Sequence, residues 1–499
     1  MKILEMLVSR QSQPVDGASL AFLRITLGLL LIWEVLNREN IFALQTAAHG
    51  LQFRYFGFSW LPAMPDQALL FRSLLGFCGV LMILGVATRV AAFGAVVIVA
   101  YGFLLVPENY LNHIYLFMLY LFLVAVVPCD GAFSLARYWT PLQRWSVQRP
   151  ATALDLLLLR VQTDIVLIYA GLVKLNADWL NLIPLRAWLL GDADRLFYRE
   201  FLRYDWVIAA ANHGAIALHV LGAPLLFFRP TRLPVFLLYC GFHVLNHHSF
   251  NIGIFPWMTI AASTLFFAPD WPRRIMATLT RASSMATPSP MRPVRPSTGF
   301  LAFAVVWSVL QMLLPLRHYL YPGDVGWTYE GHRFAWRMKL VDREPVDLLA
   351  VILLSDSNRI VVSDLFAMLG EDAHTVATRP DLALQAAHQI AAKAQSELGE
   401  PVSRVHLYNR VMWNFRPSAF MIDPKQNLLE VQDSILSTSW IVRENLGQPM
   451  TWEAFEAWRE PDLDVREVLD AAGLNAWPRC RLSDREVLFL LWECEAAKG

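Results

Sequence analysis

The chain has 499 residues, is 56% hydrophobic, and balances 42 basic against 42 acidic side chains, so it has no formal net charge. That balance gives no electrostatic footprint for nucleic acid or for a polyacidic partner. The apolar residues gather before about residue 320, in runs long enough to cross a bilayer at roughly 17 to 25 residues each. This excludes an ordinary soluble protein and divides the chain into a membrane part, 1–320, and an α+β part, 321–499.

In chain order, spans are predicted near 17–37, 66–86, 88–106, 112–128, 152–172, 211–228, 232–249, 252–268 and 299–318, about nine in all. Short cytoplasmic loops retain Lys and Arg. One alternating set of loops holds Lys2 and Arg10, Arg89, Arg137 with Arg144 and Arg149, Arg229 with Arg232, and then Arg273, Arg274, Arg281, Arg292 and Arg295. The N-terminus is therefore expected in the cytoplasm, with an uncleaved first helix. An odd number of spans puts the α+β part on the outer side. The Pro/Ser/Arg-rich stretch 282–298 reads as a flexible linker before the last span. In the outer loop, an apolar stretch at 182–190 fits an interfacial helix.

Beyond residue 320, strand patterns at 348–354 and 359–362 flank the turn signal Ser355-Asp356-Ser357-Asn358. A helix is predicted at 382–396, strands at 405–415 and 427–434, and helices at 462–472 and 483–496. The five cysteines, Cys78, Cys129, Cys240, Cys480 and Cys494, have no metal-site spacing and no disulfide framework, and a Cys480–Cys494 bridge stays open.

Ionisable groups inside spans are costly and mark either pairing or function. Arg160 and Asp164, one turn apart, read as a neutralising pair; Arg24 and Glu34 each need a partner elsewhere. Lys174, at the end of the fifth apolar run, has two readings. It is an interfacial anchor paired with Asp178, or it is held inward, desolvated, with a lowered pKa that makes it a base near neutral pH. Under the expected orientation Asn112 and His113, Lys174, and Asn246 with His247 and His248 share the outer end, and His243 lies one turn below His247. Together they outline a polar pocket at the outer boundary. No carboxylate or cysteine stands near His243 and His247 to complete a metal site, so none is assigned. No phosphate loop, nucleophile elbow or zinc-protease motif occurs.

The residues also resemble a known family. Leu23-Arg24-Ile25-Thr26-Leu27-Gly28, Asn112-His113-Ile114-Tyr115, Ala170-Gly171-Leu172-Val173-Lys174-Leu175-Asn176-Ala177-Asp178-Trp179, Phe242-His243-Val244-Leu245-Asn246, Gly331-His332-Arg333-Phe334-Ala335-Trp336-Arg337-Met338, Asn414-Phe415-Arg416 and Asp423-Pro424 are similar to the vitamin K-dependent γ-glutamyl carboxylases, with their HTTM-type membrane domain. The resemblance covers about residues 17 to 441. It implies that Lys174 deprotonates reduced vitamin K or, in a bacterium, menaquinol, and that dioxygen adds to the anion. The basic species so formed takes a proton from the γ-carbon of a glutamate in an exported peptide or protein, which then captures carbon dioxide as the quinone leaves as its epoxide. By position, Asn112 and His113 line the reacting quinol, His243, Asn246 and His247 belong to the quinone pocket, and Arg416 clamps the substrate carboxylate. The implied location is the bacterial inner (cytoplasmic) membrane, with the C-terminal domain on the periplasmic side. The chain lacks the large lumenal extension of the animal enzymes and shows no counterpart to their lumenal disulfide. The alternatives are a quinol epoxidase without carboxylation and a non-catalytic quinone- or lipid-binding scaffold.

Overall fold

A computed structural model describes residues 9–37, 50–62, 68–138, 141, 149–191, 193–280, 294–443, 446–458, 463–474, 479–483 and 487–495. Most of the predicted linker, 282–293, lies outside these.

Each predicted span coincides with helical structure: α1 Ala18–Asn37, α2 Ala68–Leu84, α3 Thr88–Leu105, α4 Asn112–Val126, α5 Ala153–Leu172, α6 Asp205–Ala217, α7 Arg229–Phe250, α8 Phe255–Ser263 and α9 Thr298–Leu313. α6 runs on through a π-helical turn, Leu218–Gly222, to Leu225, and α9 through a 3-10 stretch to Leu320. Among the described residues, four of these helices are long and apolar enough to cross a membrane: α1, α3, α6 to Leu225 and α9 to Leu320. The others fall short for physical reasons. α2, α4 and α8 are apolar but shorter, and α5 carries Asp155, Arg160 and Asp164. α7 has Pro234 inside it and histidines in its last turn.

Small residues let the first helices approach closely. A Cβ on Gly28 of α1 would meet the Gly79 carbonyl oxygen of α2 at 2.8 Å, so the two backbones touch where a larger residue could not fit. Arg24 finds its partners in the loop after α4, donating to the carbonyl oxygens of Cys129 at 3.2 Å and Phe133 at 2.5 Å. Arg160 and Asp164 make no direct ion pair, although each stands in the other's field. Arg160 turns instead to the end of α8 and donates to the Leu265 carbonyl at 2.8 Å and the Phe267 carbonyl at 3.3 Å.

The C-terminal part is a six-stranded antiparallel sheet of order β4-β3-β1-β2-β6-β5. Its strands are β1 Arg343–Leu354, β2 Arg359–Asp364, β3 Val402–Trp413, β4 Ala419–Phe420, β5 Arg479–Leu482 and β6 Leu490–Glu495. β1 is apolar without alternation because both its faces are covered. Leu348, Ala350, Ile352 and Leu354 pack with α10, Pro380–Leu398, while Leu349 and Val351 pack with Val468 and Leu469 of the short helix Val465–Ala471.

Two expectations fail here. The stretch 427–434 contains a 3-10 turn, Leu428–Glu430, where a strand was predicted. Of the stretch 483–496, residues 483 and 487–495 are described, and there the predicted helix is replaced: the apolar run becomes β6, pairing with β2 and β5, because a short run of this kind fits either structure and the free sheet edge decides. The open cysteine pair is closed, with Cys480 and Cys494 joined directly across β5 and β6.

An extended segment before α2 fastens the two parts together. Leu51 and Phe53 are buried in the core of the sheet domain. Between them, the Gln52 N–H donates to Gln389 Oε1 and the Arg54 N–H to Gln385 Oε1, both at 2.8 Å, and the two glutamine amides donate back to the Gln52 and Arg54 carbonyls. Gln385 and Gln389 lie one turn apart on α10, which matches the two-residue repeat of an extended chain.

Candidate functional site

α5 starts firmly, with Thr152 and Asp155 forming a capping box. It ends at Leu172 in a tight turn: the Lys174 N–H donates to the Gly171 carbonyl, and Asn176 caps the next short helix, Ala177–Leu180, by accepting from the Trp179 N–H. This leaves the Ala170 carbonyl for a side chain, and Lys174 Nζ donates to it at 2.7 Å. The ammonium position also lies 3.5 Å from the Met338 carbonyl and 5.1 Å from the centre of the Trp179 ring. Lys174 is only 7% exposed. Burial lowers its pKa to about 8, because desolvation disfavours the charged form.

The anchoring partner suggested for Lys174 is engaged elsewhere. Asp178 accepts both arms of the Arg416 guanidinium at 2.8 Å each, and the Asn414 amide at 2.7 Å. Arg416 is therefore a carboxylate clamp, but the carboxylate it holds is this chain's own. The pair is largely buried, about a tenth of each side chain remaining exposed, and it ties the loop after β3 to the turn that carries Lys174.

Lys174 faces a cavity of about 1000 Å³, within the size range of small-molecule sites. Asn112 and His113, at the start of α4, line it. Asn112 accepts from the Tyr110 hydroxyl at 3.0 Å and donates to the Arg337 carbonyl at 3.4 Å, while His113 Nε2 is buried without a hydrogen-bond partner. Asn246 lines the cavity as well. His243 and His247 do not. His243 packs among Tyr239, Phe242 and Phe255, and His247 packs against Trp257. Their shared face on α7 is turned from the space that Phe242, Leu245, Asn246 and Ser249 border.

One histidine was missed. His219 lines the cavity from the π-helical turn after α6, its Nδ1 donating to the Ala215 carbonyl at 2.8 Å. A carbonyl only accepts, so Nδ1 carries the proton of that bond, and in a neutral ring Nε2 would be the acceptor. Its backbone is brought close by Gly171, where a Cβ would meet His219 Cβ at 2.8 Å and the Val220 nitrogen at 3.1 Å. A titratable residue inside an apolar span was the available signal. The remaining lining is mostly apolar, and Leu221 and Leu238, which border the cavity from α6 and α7, are each 62% exposed on the outer surface. On this side the wall is a single layer of apolar side chains between the cavity and the outer surface of α6 and α7.

This arrangement suits proton abstraction from a lipid-soluble molecule: a desolvated amine, two histidines and an amide on the wall of a mostly apolar chamber. Residues 12–271 match the family model of the HTTM domain, and residues 297–446 match that of the vitamin K-dependent gamma-carboxylase lumenal domain. No solved structure matches the chain. The matches place the buried lysine, Asn112 and His113 in the first domain and Arg337 and Arg416 in the second; the chain belongs to the vitamin K-dependent γ-carboxylase family.

Proposed function

We propose that this protein is a membrane enzyme that deprotonates a reduced naphthoquinone with Lys174 and couples quinol epoxidation to γ-carboxylation of glutamate in an exported peptide or protein. The observation that carries this reading is a buried amine without a carboxylate partner, on the wall of a mostly apolar cavity that α6 and α7 border with outward-exposed leucines. The residues fit such a quinol: the walls take the ring and tail, and His113 Nε2, buried without a partner, is free for a ring oxygen. When bound, reduced vitamin K or menaquinol supplies the double bond and two electrons with which dioxygen gives epoxide and one water, while the acceptor exchanges one γ-proton for carbon dioxide.

The chain's part is to hold and move protons. A neutral amine has two N–H groups, matching the Ala170 and Met338 carbonyls, so its lone pair is left for the quinol hydroxyl. After accepting that proton, the ammonium is held by the same carbonyls and by the face of Trp179. The apolar walls exclude water from a strongly basic reaction. Arg416 serves the site by fixing Asp178 and the lysine-bearing turn rather than by holding the acceptor. The basic loops and the Cys480–Cys494 disulfide support a sheet domain on the periplasmic side of a bacterial inner membrane.

The test uses purified protein in nanodiscs with reduced vitamin K, labelled bicarbonate and a glutamyl peptide. Epoxide and labelled peptide are expected, both lost in Lys174→Ala. Epoxide without label would reduce the protein to a quinol epoxidase. Neither product from folded protein would overturn the proposal in favour of a quinone-binding scaffold.

A further inference from the structure

His219 lines the cavity with Lys174 but has no part in the proton transfer described above. Its ring is held from two sides. Nδ1 is tied to the Ala215 carbonyl of its own helix, and the Tyr239 and Phe242 rings of α7 meet it edge to face, with centres 5.7 and 4.8 Å away. Nε2 has no hydrogen-bond partner among the described residues, yet it is not shut in by packing as both ring nitrogens of His243 are. On a residue only 3% exposed, such an atom opens on the cavity that the residue lines.

The histidine is also set relative to the base. The Ala170 carbonyl holds Lys174 Nζ, and at the next residue of α5, Gly171, the π turn presses against the helix. Consecutive residues of one helix thus position the amine and the histidine, and His219 stands in the field of Lys174. A π turn is a rare departure from α geometry that often marks a functional position. Among the described residues, no aspartate or glutamate lines the cavity to hold an imidazolium. With the proton on Nδ1, the neutral ring presents a lone pair at Nε2.

We infer that His219 Nε2 accepts the hydrogen bond of the quinol hydroxyl that Lys174 does not deprotonate, and thereby makes the site specific for a ring with two hydroxyls. The inference rests on the quinol proposed above. A naphthohydroquinone carries its hydroxyls at opposite ends of one ring. With one end at the amine, the other meets a wall that is mostly apolar, where a hydroxyl without an acceptor is costly. An imidazole whose Nδ1 proton is committed to a carbonyl can only accept at Nε2, and this selects the ligand. A methyl ether or a carbonyl at that end has no hydrogen to give, and its oxygen faces a lone pair. Both quinol hydroxyls become carbonyls in the quinone epoxide, so the same contact that holds the substrate is lost in the product and favours its release.

Anaerobic equilibrium dialysis of menadiol and of its monomethyl ether against the full-length protein in nanodiscs, with empty nanodiscs subtracted, gives both dissociation constants for the native chain, His219→Leu and His219→Gln. The native chain is expected to hold menadiol about three- to tenfold more tightly than the ether, the range of one hydrogen bond. His219→Leu should hold the two equally, and His219→Gln, whose amide oxygen can stand in for Nε2, should keep part of the preference. In epoxidation, His219→Leu should raise KM by the same factor and change kcat less, unlike Lys174→Ala. A native chain that binds both ligands without preference, a preference that survives His219→Leu, or a parallel loss of both ligands in the two variants would overturn the inference and leave the role of Lys174 standing. Native protein that binds neither ligand would overturn the quinol reading itself and this inference with it.

Discussion

Replacing Lys174 with methionine keeps an unbranched apolar stem and removes the amine, so it separates what the charge costs from what the side chain packs. In place, the amine falls from its ordinary 10.5 to about 8, a cost on the order of 3 kcal/mol for carrying a proton there. The folded state binds the proton more weakly than the unfolded state. Below about pH 8 both states are protonated and the fold carries the whole cost; between about 8 and 10.5 the unfolded chain binds more protons, so stability rises with pH. Lys174→Met should therefore be more stable than the native chain at pH 7, by up to roughly 3 kcal/mol, and the margin should shrink as pH climbs past 8. Thermal unfolding of both proteins in the same detergent at pH 6, 7, 8 and 9.5 reads this directly, and quinol epoxidation should be absent from the variant throughout. Equal stability at pH 7, or a margin that does not change with pH, would mean that the lysine is solvated or paired and would remove the physical basis for its acting as a base.

Three other outcomes are expected. Asp178→Asn or Arg416→Ala leaves one charge of a buried pair uncompensated and should cost about 3–5 kcal/mol, whereas a double apolar replacement should recover most of it; scanning calorimetry of the single and double variants decides. Gly171→Ala pushes a methyl group against the backbone of Val220, costing about 1–3 kcal/mol, and should lower the epoxidation rate with Lys174 intact; an unchanged rate would show that the close approach of α5 to His219 has no functional weight. Cys480→Ser opens a loop with a sequence separation of 14, worth about 3 kcal/mol by chain entropy. Protease cleavage should then begin near β5 and β6, and unchanged resistance would refute the assigned role of the bridge.

Much of this architecture is written in local patterns. Each of the predicted spans became a helix because a run with no hydrogen-bonding partner but itself has little other choice, and β1 and β2 were legible from their turn signal. Lys174, Asn112 and His113 converge as expected because each stands at the end of a helix whose depth the pattern fixes. What stayed hidden depends on rotation or on distance along the chain. His243 and His247 share a face of α7, but nothing in that spacing says which way the face turns. Asp178 meets Arg416 across 238 positions, and the Arg337 and Met338 carbonyls reach Asn112 and Lys174 because the segment after α9 folds back over them. β6 was mistaken for a helix since only the edge of β2 told the two apart.

The Met338 carbonyl above Lys174 and the guanidinium that secures Asp178 lie 164 and 238 positions downstream of their partners. During synthesis the lysine enters the membrane long before either arrives. Until then it lacks the Met338 carbonyl and the secured Asp178 turn that bury it in the folded chain. In the proposed role, the desolvated state that makes the lysine a base is therefore completed last, when the segment after α9 and the loop after β3 arrive. On that proposal, a chain without its C-terminal part would bind quinol without activating it.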